Sequence, residues 1–178
     1  VNNGGIGQRA TALETKLEID QKIMNVNYFG TIALTKSVLP HLLKQKSGSI
    51  VVISSLTGKI GTPFRSAYCA SKHALHGFFD SLRAEIWREN VKVTIICPGF
   101  IKTNISINAM NGDGSLYGKM NDAQANGLSA EYCAEQTLNA IFEQKEEVVI
   151  AGKEKVGIYL KRFTPSLLSK VMNKIKVV

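Results

Sequence analysis

Ser49-Ile50-Val51-Val52-Ile53-Ser54 and Val91-Lys92-Val93-Thr94-Ile95-Ile96-Cys97 are the two stretches that decide the fold. Both are β-branched and apolar along nearly their whole length. A strand with one wet face would alternate polar and apolar residues; a strand covered on both faces, as in a parallel sheet between helices, has no reason to. The first run stops at Ser54-Ser55 and the second at Pro98-Gly99. Between them, 66–89 places Ala67, Ala70, Ala74, Phe78, Leu82 and Ile86 along one side of a helix. Strand, helix and strand joined by short links predict an α/β fold with a doubly wound parallel sheet. Ligands of such sheets bind beyond the carboxyl ends of the strands, so the chemistry is expected between Ser54-Ser55 and Pro98-Gly99.

Outward from this unit the alternation continues. Residues 17–46 read as a long helix, or a helix with a break, with Ile23, Val26, Ile32, Leu34, Val38 and Leu42 at helical spacing. Pro40 lacks a backbone donor and is expected to disturb its last turns. Ser129 can cap a helix running to about residue 145, and 147–151 reads as a last strand. The stretch 100–128 has little periodicity and is rich in Asn, Gly, Ser and Asp, as expected of a functional loop or lid. Val1-Asn2-Asn3-Gly4-Gly5 reads as the end of a strand entering a turn. The chain is therefore expected to hold the C-terminal portion of the sheet, 1–152 being its catalytic part and 153–178 a basic, helical tail.

Seven Lys and Arg in 153–178 face one acid, Glu154, so the tail carries +6 of the net +8. Such a tail suits an anionic surface, although a solvated helix face is the plainer reading. The apolar runs are strand-sized and fall short of the roughly 20 residues of a membrane span. Cys69, Cys97 and Cys133 are widely spaced and odd in number, which suggests buried free thiols rather than a zinc site or a disulfide framework. His41, His73 and His76 have no mutual spacing for a metal; no metal is read, and His73 and His76 are placed on a helix surface or interface.

The sharpest chemical signal is Tyr68-Cys69-Ala70-Ser71-Lys72, with Ser55 13 residues before the tyrosine. Tyr68 and Lys72, four residues apart, share a helix face at roughly 6 Å. A phenol loses its proton near pH 10, and a nearby ammonium lowers that value. Tyr68 can then pass a proton to a carbonyl oxygen as hydride reaches carbon, or take one from an alcohol, while Ser55 holds the same oxygen. A Tyr–Lys pair alone is a weak signal. Its conjunction with Ser55 at one strand tip and Pro98-Gly99 at the next is what gives it weight. Phe100, Ile105, Met110, Leu116, Tyr117 and Met120 are candidates to line a lipophilic pocket.

These positions resemble the short-chain dehydrogenase/reductase family in five ordered places. Asn2-Asn3-Gly4-Gly5 resembles its NNAG turn, and Asn27 stands where the family has a mid-helix catalytic Asn. Ser55 matches the catalytic Ser, Tyr68 and Lys72 the YxxxK pair, and Pro98-Gly99 with Thr103 the PG motif and its following Thr. The wording of 53–59, 63–73 and 77–85 is most similar to the hydroxysteroid-dehydrogenase-like branch and its dehydrogenase/reductase member seven group. The resemblance implies a Rossmann-type fold and a catalytic tetrad of Tyr68, Lys72, Ser55 and Asn27. In it the Asn27 backbone carbonyl holds a water that relays protons to Lys72. It implies a cofactor, NADP or NAD with NADP favoured, contacted by Asn3, Gly5, Tyr68, Lys72, Pro98, Gly99 and Thr103. The implied partners are a small lipophilic carbonyl or alcohol substrate, a second copy in a homodimer, and a membrane reached through the basic tail or an upstream anchor. No nucleic acid is expected. The location implied is the endoplasmic reticulum membrane, with the cytoplasm as alternative.

The family's TGxxxGxG pyrophosphate turn is not matched by Gly4-Gly5-Ile6-Gly7, which has no strand and crossover helix before it. A non-catalytic binding or scaffold fragment is therefore the alternative function.

Overall fold

The computed structural model describes residues 1–174. Strands β1 (Gly48–Ile53), β2 (Val91–Pro98) and β3 (Glu147–Ile150) form a parallel sheet in that order, with Gly48 opposite Val91 and Ile95 opposite Glu147. Asn2 pairs in parallel on the free side of β1. Its N–H donates to Val51 O at 2.7 Å, and Ile53 N–H donates to Asn2 O at 2.9 Å. The opening residues thus add a single parallel bridge to the edge of β1.

The unbroken apolar runs are explained by cover on both faces. Ile50, Val52, Val93, Ile95 and Cys97 point to the side where Leu75, Phe79 and Leu82 of α3 (Ser66–Glu85) pack. Val51, Ile96 and Ile150 point the other way, to Ala140 of α5 (Ala130–Phe142). Ser129 caps α5, its Oγ accepting from Tyr132 N–H at 3.0 Å.

The predicted helix over 17–46 is one rod with a flaw in it. It comprises α1 (Leu17–Met24), a π-helical turn (Asn25–Gly30) and α2 (Thr31–Gln45). Pro40 does not end it. Position 40 is exposed, and α2 runs on to Gln45, because water can serve the carbonyl that loses its donor. The α3 helix stops at Glu85, short of the expected residue 89, and Asn90 turns the chain into β2 with φ 55°.

Two further expectations gain detail from the structure. The stretch 100–128 is mostly irregular but firmly packed: Ile101, Ser106, Ala109, Met110 and Gln124 are buried, and Asp122–Ala125 forms the short α4. The basic tail is not a simple solvated face. Its helices α6 (Val156–Phe163) and α7 (Pro165–Met172) place Leu168 against Leu56 and Ile60, while their lysines stay exposed. Lys176 lies outside the described residues. No helix among them is long and apolar enough to cross a membrane.

Candidate active site

At the carboxyl end of β1 the backbone of Ser55 is extended, and its side chain caps the tight turn Leu56–Gly58. Ser55 Oγ accepts from the Thr57 N–H at 3.2 Å and from the Thr57 hydroxyl at 3.0 Å. Tyr68, on the first turn of α3, faces the same cavity as Ser55. One turn on, buried Lys72 donates from Nζ to Ile53 O at 2.9 Å, 5.8 Å from the Tyr68 ring centre. Ser55, Tyr68 and Lys72 line one cavity of about 800 Å³, together with Asn3 and Gly5 from the first turn and Pro98, Gly99 and Thr103 after β2.

Asn27 stands behind this wall rather than in it. It is fully buried in the π-turn, where its amide oxygen accepts from Ile6 N–H at 2.8 Å. Its amide nitrogen donates to Ile6 O and to Ser71 Oγ, both at 3.0 Å. A side chain at Gly5 would begin 3.4 Å from Asn27 Oδ1 and 3.5 Å from Lys72 Nζ. These are ordinary contact distances, and they place the Gly5 backbone beside both the Asn27 amide and the Lys72 ammonium. The Asn27 carbonyl, the atom implied for a proton relay, accepts the Thr31 hydroxyl at 2.9 Å. Such an asparagine is unfavourable within a regular helix, and the local widening turns it inward.

Electrostatics here differ from the pattern-based expectation. Burial raises the Tyr68 phenol above its ordinary 10, against the opposing influence of the Ser55 side chain and the charges of Arg65 and Arg9. Lys72, expected to be the cation that lowers it, is itself lowered by burial to about 8. The cations acting on the phenol are thus two arginines to which the sequence pattern had given no role. Both line the cavity, Arg65 from the residue before α3 and Arg9 from the segment after the Asn2 pairing. An arginine flanked by Phe64 and Ser66 carries no periodic signal; only the fold turns it inward.

Among the proposed pocket residues, Phe100 and Ile105 line the cavity. Met110 instead packs with Ile23 and Ala67, Leu116 and Met120 are exposed, and Tyr117 borders a smaller neighbouring hollow. The surface reading of His76 is also overturned. His76 is buried, with Nε2 3.0 Å from Ser54 Oγ and Nδ1 3.4 Å from Glu147. His76, Cys97 and Glu147 bring ligand-type atoms within 4.8 Å of one another, but Glu147 is held by Lys59 at 2.5 Å. The cluster therefore reads as an ion-pair network. That network, with the His76 hydrogen bond first, draws Glu147 down to about 2.

Comparison with known proteins follows the same lines. The family described as short chain dehydrogenase matches residues 1–113. The "Dehydrogenase/reductase SDR family member 7B" of Xenopus laevis is 47% identical over 174 residues, which make up 97% of this chain and 54% of that protein. The "Dehydrogenase/reductase SDR family protein 7-like" of Anopheles gambiae is 47% identical over 175 residues, 98% of this chain and 55% of that one. The chain thus spans about half the length of the curated relatives it matches. A short chain dehydrogenase from Burkholderia cenocepacia, solved in complex with NADP, has a TM-score of 0.81 at 22% identity, covering 98% of this chain and 68% of its own; at that identity the likeness speaks for the fold. 4-Hydroxyisoleucine dehydrogenase complexed with NADH has a TM-score of 0.67 at 26% identity, covering 84% of this chain and 65% of its own.

Proposed function

The chain belongs to the short-chain dehydrogenase family, and on that premise we propose that it carries the catalytic half of an NAD(P)-dependent oxidoreductase interconverting an alcohol and a carbonyl on a small lipophilic substrate. The observation that carries this reading is the meeting of Ser55, Tyr68 and Lys72 on one cavity wall, with the Lys72 ammonium 5.8 Å from the Tyr68 ring centre.

The residues present suit the nicotinamide end of such a cofactor. Lys72 spends one of its three donors on Ile53 O, which leaves two for the hydroxyls of a ribose. Gly5 stands beside it on the same cavity. Asn3, Pro98, Gly99 and Thr103 complete that side of the cavity, and Thr103 Oγ1, 3.4 Å from both Ile101 O and Gln124 Nε2, is only loosely engaged and can meet a carboxamide. The cofactor, when bound, supplies or accepts a hydride.

In reduction, Ser55 and Tyr68 would together bind the carbonyl oxygen. As hydride reaches the carbon, the C–O double bond becomes single and Tyr68 gives its proton to the oxygen; oxidation reverses both transfers. A phenol raised by burial holds that proton at neutral pH, which suits the reductive direction. Lys72 would favour the phenolate formed and draw its replacement proton past Asn27. Phe100, Ile105, Leu160 and Met172 supply apolar wall for a lipophilic substrate. NADP or NAD is the cofactor, with NADP favoured by resemblance. A homodimer, and contact of the basic tail with the endoplasmic reticulum membrane (or, alternatively, a cytoplasmic location), belong to the same reading.

Substituting Tyr68→Phe in the full-length protein removes the proton and leaves the ring. Turnover of any carbonyl substrate should fall by at least about 10²-fold, with the melting temperature little changed. Retained turnover in a folded Tyr68→Phe protein would refute the assignment.

A further inference from the structure

Two arginines face the cavity beside Tyr68, and among the described residues neither meets an acid. Arg65 is only 6% exposed, and its Nε and Nη2 are buried without a hydrogen-bond partner among the described residues. Arg9 donates from Nη1 to Gln8 O at 2.7 Å and from Nη2 to Ser106 Oγ at 2.9 Å, while its buried Nε has none. Arg65 lies 5.9 Å from the Phe100 ring centre and Arg9 6.0 Å from that of Tyr117. Aromatic faces of this kind fix a planar guanidinium and leave its N–H edges free.

The two charges act on each other and on the Tyr68 hydroxyl. None of the ion pairs among the described residues includes either arginine. Glu154, a carboxylate in the cavity wall, is engaged by the Phe100 N–H at 3.2 Å and acts on neither. Bringing two like charges into a low-dielectric wall with no counter-charge is strongly unfavourable unless something else supplies one. A guanidinium edge with free donors is the group that best matches a carboxylate or phosphate.

We propose that Arg65 and Arg9 form an anion clamp for the substrate, which is a ketone or secondary alcohol carrying a carboxylate or phosphate monoester a few bonds from the reacting carbon. Arg65 precedes Tyr68 by three residues, so an anion held there keeps its neighbouring carbonyl within reach of the Tyr68 hydroxyl. The apolar remainder lies along Leu160, Leu168 and Met172. This inference rests on the oxidoreductase reading and narrows it to an amphiphilic acid.

The test uses full-length protein, wild type and Arg65→Met, with three ketones of one chain length: a γ-oxo acid, a phosphate monoester of a hydroxy ketone, and an uncharged ketone. Calorimetric binding of dodecanoate, dodecyl phosphate and dodecanol runs in parallel. The wild type should favour an anionic ketone in kcat/KM by on the order of 100-fold. Arg65→Met should erase that preference, lowering kcat/KM for the anionic ketones far more than for the uncharged one. Whichever anion responds more strongly, carboxylate or phosphate, names the head group. Arg9→Met, expected to act in the same direction, serves if Arg65→Met melts early.

Equal use of all three ketones, unaltered by Arg65→Met, overturns the clamp and leaves the oxidoreductase standing. An effect confined to the KM of NADPH assigns the arginines to a cofactor phosphate and also overturns it. If no ketone is turned over, yet dodecanoate or dodecyl phosphate binds wild type and not Arg65→Met, the clamp holds and the oxidoreductase reading fails.

Discussion

Lys72 meets two opposed demands. In the proposed mechanism its charge holds hydroxyls and favours a phenolate, yet its burial lowers the ammonium from 10.5 to about 8. The sign of each effect follows. Below about pH 8 the folded protein keeps Lys72 charged; between about 8 and 10.5 it has lost a proton that the unfolded chain still holds. The lysine's stabilising contribution is therefore complete above 10.5 and is lost as pH falls through about 8. Activity should move the opposite way: kcat/KM for carbonyl reduction is expected to be level below about pH 8 and to decline above it. Lys72→Arg, whose charge does not titrate in this range, should move that decline to higher pH. A wild-type profile that stays level to pH 10 would show that Lys72 does not govern the reaction.

Elements were more legible in the sequence than the contacts between them. β1, β2 and α3 could be read because apolar periodicity is local, and Ser55, Tyr68 and Lys72 because strand end and helix spacing are local too. His76 was misplaced because what buries it, Ser54 and Glu147, comes from two distant strands. The pairing of Arg9 with Arg65 was invisible for the same reason. The tail was half read: its helical character and charge follow from sequence, but its packing on Leu56 and Ile60 depends on where the sheet ends. That packing leaves Tyr159, Phe163 and Leu167 exposed among Lys155, Lys161, Arg162 and Lys170, the composition of a helix pair lying on an anionic bilayer. The protein should co-float with vesicles containing anionic lipid at low salt and separate from them at high salt. Phe163→Glu should weaken that flotation. Failure to float at low salt would reduce α6 and α7 to a cavity wall.

On the scale of the whole molecule, the solvent side of the long helix is unusually apolar. Val26, Phe29, Leu34 and Val38 are exposed at helical spacing, Leu34 to 64%. Exposed apolar residues gathered on one helix suit an interface, which the proposed homodimer would cover. Light scattering should report a dimer for wild type and a monomer for the double substitution Leu34→Glu, Val38→Glu. A wild-type monomer at micromolar concentration would refute the dimer. The π-turn within that same helix has a consequence of a different kind. Each residue advances a helix by about 100° around its axis. Ile23 packs against Ala67 and Met110 on one side of the turn, while Leu39 and Leu42 meet the sheet core from the other. The wider turn sets the phase between those two groups of contacts, like a tooth added to one of two meshed gears. Loss of a single codon within 25–30 would spare the reading frame and leave the helix no less helical. It would nevertheless rotate one half of the rod against the other, so that the two cores could no longer engage together: a frameshift in space rather than in the message.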